Sequence, residues 1–227
     1  MSCNIYQYYL GTNQGAIGNI QAGFSEQDLC GLVAQPANTI SSLAYLVVAL
    51  LLYKKFKSII ILALFVSLSI GSIALHATST RVGQILDFGS MFGVISYLLY
   101  LTLNLRYNIS KKVLIPIILI LGFIELLILI YFVQYRILFL GIVLICLLLL
   151  ENRAIIKQNL ESKNWRLAWI VFLISFLFWL GDEFRLVDVS SIQHIINLHA
   201  IWHLGTAYSL YLSYIHFESK AIIRPLS

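Results

Sequence analysis

The sequence predicts an all-α polytopic membrane protein with seven transmembrane helices. Of its 227 residues, 60% are hydrophobic and only 11% are charged, and the mean hydropathy is +0.88. Soluble domains are about half apolar and about a quarter charged, so this composition is typical of a chain that crosses a membrane several times. The number of helices follows from seven apolar stretches, each near the roughly 17–25 residues that cross a bilayer.

These stretches follow one another without a linker long enough to separate a second domain. Their predicted limits are Ala37–Tyr53, Ser58–His76, Val82–Leu103, Val113–Val133, Ile137–Leu150, Trp165–Gly181 and Ile192–Ile215. The fifth stretch is short for a membrane span. We therefore expect an N-terminal cap of residues 1–36, a helical domain of residues 37–216 and a tail of residues 217–227.

The basic residues indicate how the bundle is oriented. Twelve of the 15 Lys and Arg residues fall on one side of the predicted bundle, and the other side holds only Arg81, Arg136 and Arg185. Positive residues concentrate in cytoplasmic loops, so the N-terminus is predicted outside and the C-terminus in the cytoplasm. The net charge of +5 reflects this topology and predicts no nucleic-acid partner.

Polar side chains inside the apolar stretches predict a metal site. His199 and His203 lie four positions apart in the last stretch, on one helical face, close enough to bind a single ion. His76 ends the second stretch, with Ser72 one turn before it, and Asp87 lies near the start of the third. The predicted topology places all of them in the non-cytoplasmic half of the membrane, where polar side chains are costly and usually functional.

Three imidazoles and a water form the open tetrahedral shell of a catalytic zinc ion, which lowers the pKa of its bound water towards about 7. Histidine also suits copper, iron or nickel, so zinc rests on common usage. Asp87 is the candidate base, with orientation of a ligand histidine as the alternative role. Ser72 is a candidate to stabilise the oxyanion, or else it bonds to a carbonyl of its own helix.

Other titratable residues are predicted to lie outside the metal site. His194 is five positions before His199, roughly 140° around a helix, so it should miss the metal face. His216 falls near the cytoplasmic end. Cys3 and Cys30 share the cap, and the sequence leaves open whether they pair. A solvated outer loop is predicted for the charged residues Asp182, Glu183, Arg185 and Asp188.

The chain resembles the alkaline ceramidases, which belong to a superfamily of seven-helix membrane hydrolases that includes the adiponectin receptors. The resemblance rests on Ser72-x-x-x-His76, Gly83-Gln84-Ile85-Leu86-Asp87 and His199-Ala200-Ile201-Trp202-His203, and it extends from about Glu26 to Tyr208. It implies a zinc-dependent amidase that hydrolyses ceramide to a sphingoid base and a fatty acid. Carried over residue by residue, it implies zinc ligands at His76, His199 and His203, with Ser72 and Asp87 assisting catalysis.

The resemblance also bears on calcium binding in the cap. Glu26-(x)8-Gln35-Pro36-Ala37-Asn38 is similar to the family's C-E…A-E-P-x-N stretch, but Gln35 stands where a second Glu is expected and Ser25 stands where a Cys is expected. Calcium prefers charged oxygen ligands, so the loss of this carboxylate should weaken the site. The remaining candidate calcium ligands are Glu26, Asp28 and Asn38.

Two classes of function fit these residues. The first is an intramembrane zinc amidohydrolase whose partner is a membrane lipid amide such as ceramide. The alternative is a non-enzymatic seven-helix receptor or transporter that uses the same polar residues as an ion or proton path. About one bound zinc per chain, lost when His203 is replaced, separates the two. Phe88 stands where animal enzymes of the family carry an acidic residue, which leaves the lipid substrate open.

Overall fold

The computed structural model describes residues 24–29, 31–187 and 191–221, with side chains as far as residue 218. All its regular elements in these ranges are helices, which confirms the predicted all-α class. They are α1 (Pro36–Ser41), α2 (Leu43–Phe56), α3 (Ile59–Thr78), α4 (Arg81–Tyr107), α5 (Lys111–Tyr131), a 3-10 turn (Val133–Tyr135), α6 (Arg136–Gln158), α7 (Lys163–Glu183) and α8 (Leu198–Ala221). Most of the predicted cap, with Cys3 and Cys30, and Asp188 lie outside the described residues.

Six of the seven predicted spans are confirmed as helices long and apolar enough to cross a membrane. They comprise α1 continued by α2, then α3, α4, α5, the 3-10 turn with α6, and α7. The predicted fifth span was too short, because the helix continues to Gln158. The last helix, α8, has 24 residues, carries both His199 and His203, and is not among these six. Its crossing of the membrane and the orientation of the bundle stay predictions.

The start of α8 differs from the prediction. Residues 191–195 form turns, and the helix begins at Leu198 rather than Ile192. The reason is the side chain of Asn197, whose Oδ1 accepts a hydrogen bond from the backbone N–H of Ala200 at 2.7 Å. Asparagine is a favoured helix N-cap residue. This cap places His199 in the first turn of α8.

The connection between α3 and α4 brings two polar segments together. Ser79 ends α3 in the left-handed conformation (φ 49°), and Thr80 caps α4 by accepting a hydrogen bond from Gly83 N at 3.2 Å. The two backbones touch: a Cβ on Gly71 would lie 2.5 Å from an α4 carbonyl oxygen, and one on Gly83 would lie 2.7 Å from the α3 backbone. The end of α3 therefore packs directly against the start of α4.

Helices α4 and α8 hold the bundle together. Helix α4 packs against α3, α5, α6 and α8, while α8 also packs against α1, α2 and α7. The contact between α7 and α8 is close, because a Cβ on Gly205 would overlap the hydroxyl of Ser175. In α5, by contrast, only Leu114, Glu125 and Leu129 are buried. The remaining apolar surface of α5 faces outward, as expected of a helix in contact with lipid.

Candidate metal centre

The three histidines predicted as ligands converge at one end of the bundle. Each of His76, His199 and His203 offers one ring nitrogen, and these three atoms lie within 4.8 Å of one another. The three residues are 1%, 4% and 3% exposed, respectively. Within the described part of the chain this is the one group of three His, Cys, Asp or Glu residues placed to hold a metal ion. The predicted convergence is therefore present, on the last turn of α3 and the first two turns of α8.

The orientation of the His76 ring is set by Gln35. His76 Nδ1 lies 2.7 Å from Oε1 of Gln35, and the amide nitrogen of Gln35 donates to Asp28 Oδ1 at 2.9 Å. Because an amide oxygen can only accept, Nδ1 of the ring carries the proton. This leaves His76 Nε2 as an acceptor, and it is buried with no hydrogen-bond partner. A buried polar atom without a partner is costly, so this nitrogen fits a metal ligand.

The other two rings differ in their partners. His203 Nδ1 lies 2.8 Å from the hydroxyl of Ser41, which itself donates to Asn38 O at 3.0 Å. The hydroxyl therefore accepts from the ring, and Nε2 of His203 is left for a metal. His199 Nδ1 is buried and has no hydrogen-bond partner, and Oδ2 of Asp182 lies 3.9 Å away. The donor set thus consists of neutral imidazoles, which suits zinc.

Asp87 and Ser72 lie next to each other beside this cluster. Both side chains are buried, and the carboxylate of Asp87 interacts with the Ser72 hydroxyl. Ser72 Oγ also lies 2.9 Å from Ser42 Oγ, which is 3.5 Å from His203 Nδ1. The described partners of the Ser72 hydroxyl thus lie on α4 and at the junction of α1 and α2, and neither is a carbonyl of α3. A line of hydroxyls connects the carboxylate with the His203 side of the cluster.

The prediction that Asp182 belongs to a solvated loop is wrong. Asp182 lies in the last turn of α7, is buried, and accepts hydrogen bonds from the Ser25 hydroxyl and from Ser25 N, the latter at 3.2 Å. Glu183 and Arg185 are exposed, as predicted. The predicted sixth span ended at Gly181, two residues too early, because α7 continues to Glu183. A carboxylate directly after an apolar run was the available signal that this side chain could lie inside the bundle.

A segment before α1 covers the histidines. The ring of Phe24 has its centroid 4.1 Å from that of His199 and 4.9 Å from that of His76. Gln27 N donates to Gln193 Oε1 at 2.9 Å, which fastens the segment to the turns before α8. Residues 24–29 therefore lie against the metal cluster instead of extending away from the bundle.

Comparison with known proteins places the chain in a family. A sequence model of the family described as Ceramidase matches residues 27–224. The chain belongs to the ceramidase family. The resemblance in the motifs is thereby confirmed, and the ceramidase match contains all three histidines together with Ser72 and Asp87. A search of curated proteins found no match.

Two of the three candidate calcium ligands, Glu26 and Asp28, have protein partners for their carboxylate oxygens. The two oxygens of Glu26 accept the backbone N–H groups of Ala37 and Asn38, each at 2.9 Å, so this carboxylate caps α1. Asp28 Oδ1 accepts from Gln35 and Ser79. Asn38 Oδ1, by contrast, is buried with no hydrogen-bond partner. The calcium site stays a prediction.

The remaining two histidines of this ceramidase lie outside the metal cluster. His194 belongs to the turns before α8, not to the helix, and its Nδ1 lies 3.2 Å from Glu26 Oε1. His216 lies near the other end of α8, where its Nε2 is 2.8 Å from Glu151 Oε1 and 3.4 Å from a guanidinium nitrogen of Arg106. Sequence reasoning excluded both from the metal site, and the described geometry agrees.

Proposed function

We propose that this ceramidase-family chain is a zinc-dependent amidohydrolase that cleaves ceramide, or a closely related lipid amide, to a sphingoid base and a fatty acid. Family membership supports hydrolysis of an amide. The observation that carries the proposal is the group of three buried imidazoles whose ligand atoms lie within 4.8 Å of one another. Asp87 and Ser72 lie beside it with buried side chains.

The three imidazoles would hold the metal, because three nitrogen ligands leave a fourth position open, as catalytic zinc sites require. Gln35 and Ser41 fix the protonated nitrogens of His76 and His203 by hydrogen bonds of 2.7 and 2.8 Å. Zinc bound there would supply a Lewis acid that polarises a carbonyl oxygen and activates water. The protein's part is to keep the ligand rings oriented and shielded from solvent.

Asp87 and Ser72 would divide the remaining chemistry. Asp87 would take the proton from the attacking water and deliver it to the leaving amine, which is the task of a general base and then a general acid. Ser72 would donate a hydrogen bond to the carbonyl oxygen as negative charge develops on it. Ser42 Oγ lies 2.9 Å from Ser72 Oγ and itself donates to Asn38 O at 2.7 Å, so Ser72 would turn its single hydrogen from Ser42 to the substrate oxygen.

The surroundings of the cluster suit a substrate with alkyl chains. Trp202 lies between the two ligand histidines of α8 and contacts three aromatic rings of α7. These rings are Phe172, Phe176 and Trp179, with centroids 5.8, 6.2 and 6.4 Å from that of Trp202. Such a surface beside the ligands would accept an acyl or sphingoid chain from the bilayer. We place the centre toward the non-cytoplasmic side, from the distribution of basic residues.

The decisive experiment measures lipid turnover by the purified protein. Ceramides, N-acyl ethanolamines and phosphatidylcholine are presented in mixed micelles, and released fatty acid and amine are quantified by mass spectrometry. We expect ceramide cleavage that a chelator abolishes and zinc restores. Cleavage of none of these amides, together with a preparation free of transition metal, would instead support the receptor or transporter alternative.

A variant pair tests the assigned base. We expect Asp87→Asn to retain its metal and to lose turnover by about 10²–10⁴-fold, the usual contribution of a general base. The matched control is Glu125→Gln, because Glu125 is another buried carboxylate of the bundle and accepts from Ser96 Oγ at 3.0 Å. The control should keep its activity. Unimpaired hydrolysis by Asp87→Asn would exclude this carboxylate as the base.

A further inference from the structure

We propose that Asp182 is a positioning residue of the metal centre. In this role its carboxylate accepts the Nδ1–H of His199 and directs the other ring nitrogen toward the ion. Asp182 does not touch the substrate or the metal. The inference rests on the proposed metal site, but it does not depend on which lipid is cleaved.

The first observation is an imbalance among the three ligand rings. His76 Nδ1 has an acceptor 2.7 Å away and His203 Nδ1 has a hydroxyl 2.8 Å away, whereas His199 Nδ1 is buried with no hydrogen-bond partner. Histidines that bind metals almost always donate their other N–H to a carboxylate, a carbonyl oxygen or water. The third ring therefore lacks the partner that the other two possess.

The second observation is the position of the Asp182 carboxylate. Its Oδ2 lies 3.9 Å from His199 Nδ1, and both side chains are buried. A hydrogen bond between these atoms needs about 2.7–3.2 Å, so a shift of about 1 Å is sufficient. Gly181, the residue before Asp182, packs closely against α8, since a Cβ on Gly181 would lie 3.0 Å from the Leu198 side chain. This contact keeps the Asp182 carboxylate near α8.

The third observation connects Asp182 with the segment that covers the metal cluster. Ser25 donates to Asp182 through both its backbone N–H and its hydroxyl, and the neighbouring Phe24 packs on His199. Asp182 also accepts the backbone N–H of His199, so it is fastened to both elements: it anchors residues 24–29, and we assign it the orientation of the ring beneath them. A purely structural anchor would depend on Ser25, while an orienting carboxylate would act on His199 directly. This difference makes the two roles separable.

The test measures zinc affinity by chelator competition on the purified full-length protein. Its variants are Asp182→Asn, Asp182→Glu and Ser25→Ala, with Glu183→Gln as the matched control, since Glu183 is the adjacent exposed carboxylate. We expect Asp182→Asn to weaken zinc binding by about 10–100-fold, as loss of such a partner typically does. Asp182→Glu, which keeps an acceptor, should recover part of the affinity. Ser25→Ala should change it only a few-fold, and Glu183→Gln should match the wild type.

A second readout is the visible absorption of the cobalt-substituted protein, which reports the ligand geometry. We expect the bands to shift in Asp182→Asn and not in Ser25→Ala. Wild-type zinc affinity in Asp182→Asn, or an equal loss in Ser25→Ala, would overturn the positioning role. A wild-type protein that binds no transition metal would overturn this role and the proposed function together. Ceramide cleavage with unchanged affinity in Asp182→Asn would overturn the positioning role alone.

Discussion

The bundle contains two buried polar clusters near opposite ends of α8, and they are built on different principles. One is the metal cluster, which includes His203. The other is an ionic cluster formed by Thr102 and Arg106 of α4, Glu151 of α6 and His216 of α8. His203 and His216 are both buried and lie 13 positions apart, which is about 20 Å along the helix.

The ionic cluster satisfies its own charges. Glu151 Oε1 accepts from Arg106 Nε and from His216 Nε2, each at 2.8 Å, and Oε2 accepts from Thr102 Oγ1 at 3.0 Å. In the metal cluster, His76 Nδ1 has an acceptor 2.7 Å away, but its Nε2 is buried without a hydrogen-bond partner. Since buried polar groups are nearly always paired, the first cluster is complete as folded, and the second needs a ligand to complete it. Burial of histidine alone therefore does not identify a site, whereas a buried ring nitrogen without a partner, such as His76 Nε2, does.

The largest expected difference between the two clusters is in the zinc content of variants at the two histidines of α8. We expect His203→Ala to reduce bound zinc from about one ion per chain to near zero and to abolish turnover, because the remaining two imidazoles are too few for a stable site. His216→Ala should keep its zinc, since that ring belongs to the ionic cluster. Elemental analysis of both purified variants, alongside lipid turnover, measures the difference.

The two variants serve as controls for each other, as both remove a buried imidazole from the same helix. A general effect of truncating α8 would lower metal content in both. Retention of a full equivalent of zinc by His203→Ala would remove this residue from the ligand set. Loss of zinc in His216→Ala, with the protein still folded, would show that the two clusters are not independent.

The next largest effect concerns the ionic cluster. Replacing Glu151 by Ala leaves Arg106 buried without its carboxylate, and breaking a buried ion pair in this way typically costs about 3–5 kcal/mol. We expect the free energy of unfolding to fall by that amount while the zinc content is unchanged. Denaturant unfolding in detergent, with metal analysis of the same sample, measures both quantities.

A control from the same helix isolates the effect of burial. Arg153 is exposed on α6, so Arg153→Gln should change the free energy of unfolding by less than about 0.5 kcal/mol. If Glu151→Ala were as stable as this control, the ionic cluster would contribute nothing to the fold. Zinc lost from Glu151→Ala in a folded protein would mean that the ionic cluster supports the metal cluster.

The sequence was sufficient to predict the features that depend on local pattern. Hydropathy located six helices, and the spacing of His199 and His203 placed them on one helical face near the end where His76 lies. The start of α8 could not be located in this way. Hydropathy averages over many residues, while the helix begins where a single side chain, Asn197, accepts one backbone hydrogen bond.

The partners of the histidines could not be predicted from the sequence, because they come from distant parts of the chain. Gln35 and His76 are 41 positions apart, and Ser41 and His203 are 162 apart. No periodicity connects such pairs. Gln35 was interpreted as a lost calcium ligand, and its hydrogen bond to His76 depends on how α1 packs against α3.

The smallest expected effect is on zinc affinity, when the hydrogen bond between Gln35 and His76 in the metal cluster is removed. Gln35→Met has a similar shape but offers His76 Nδ1 no acceptor of comparable strength. We expect zinc affinity to fall about tenfold, near the low end for loss of such a partner, because the buried ring stays held by its helix.

The variant Gln35→Glu keeps an acceptor for His76 Nδ1, so its zinc affinity should stay within a few-fold of the wild type. However, it places a second carboxylate beside Asp28 in place of the 2.9 Å amide bond, so its thermal stability should be lower than that of the wild type. Chelator competition and thermal unfolding measure the two effects, and equal zinc affinity in Gln35→Met and the wild type would show that α3 alone orients His76.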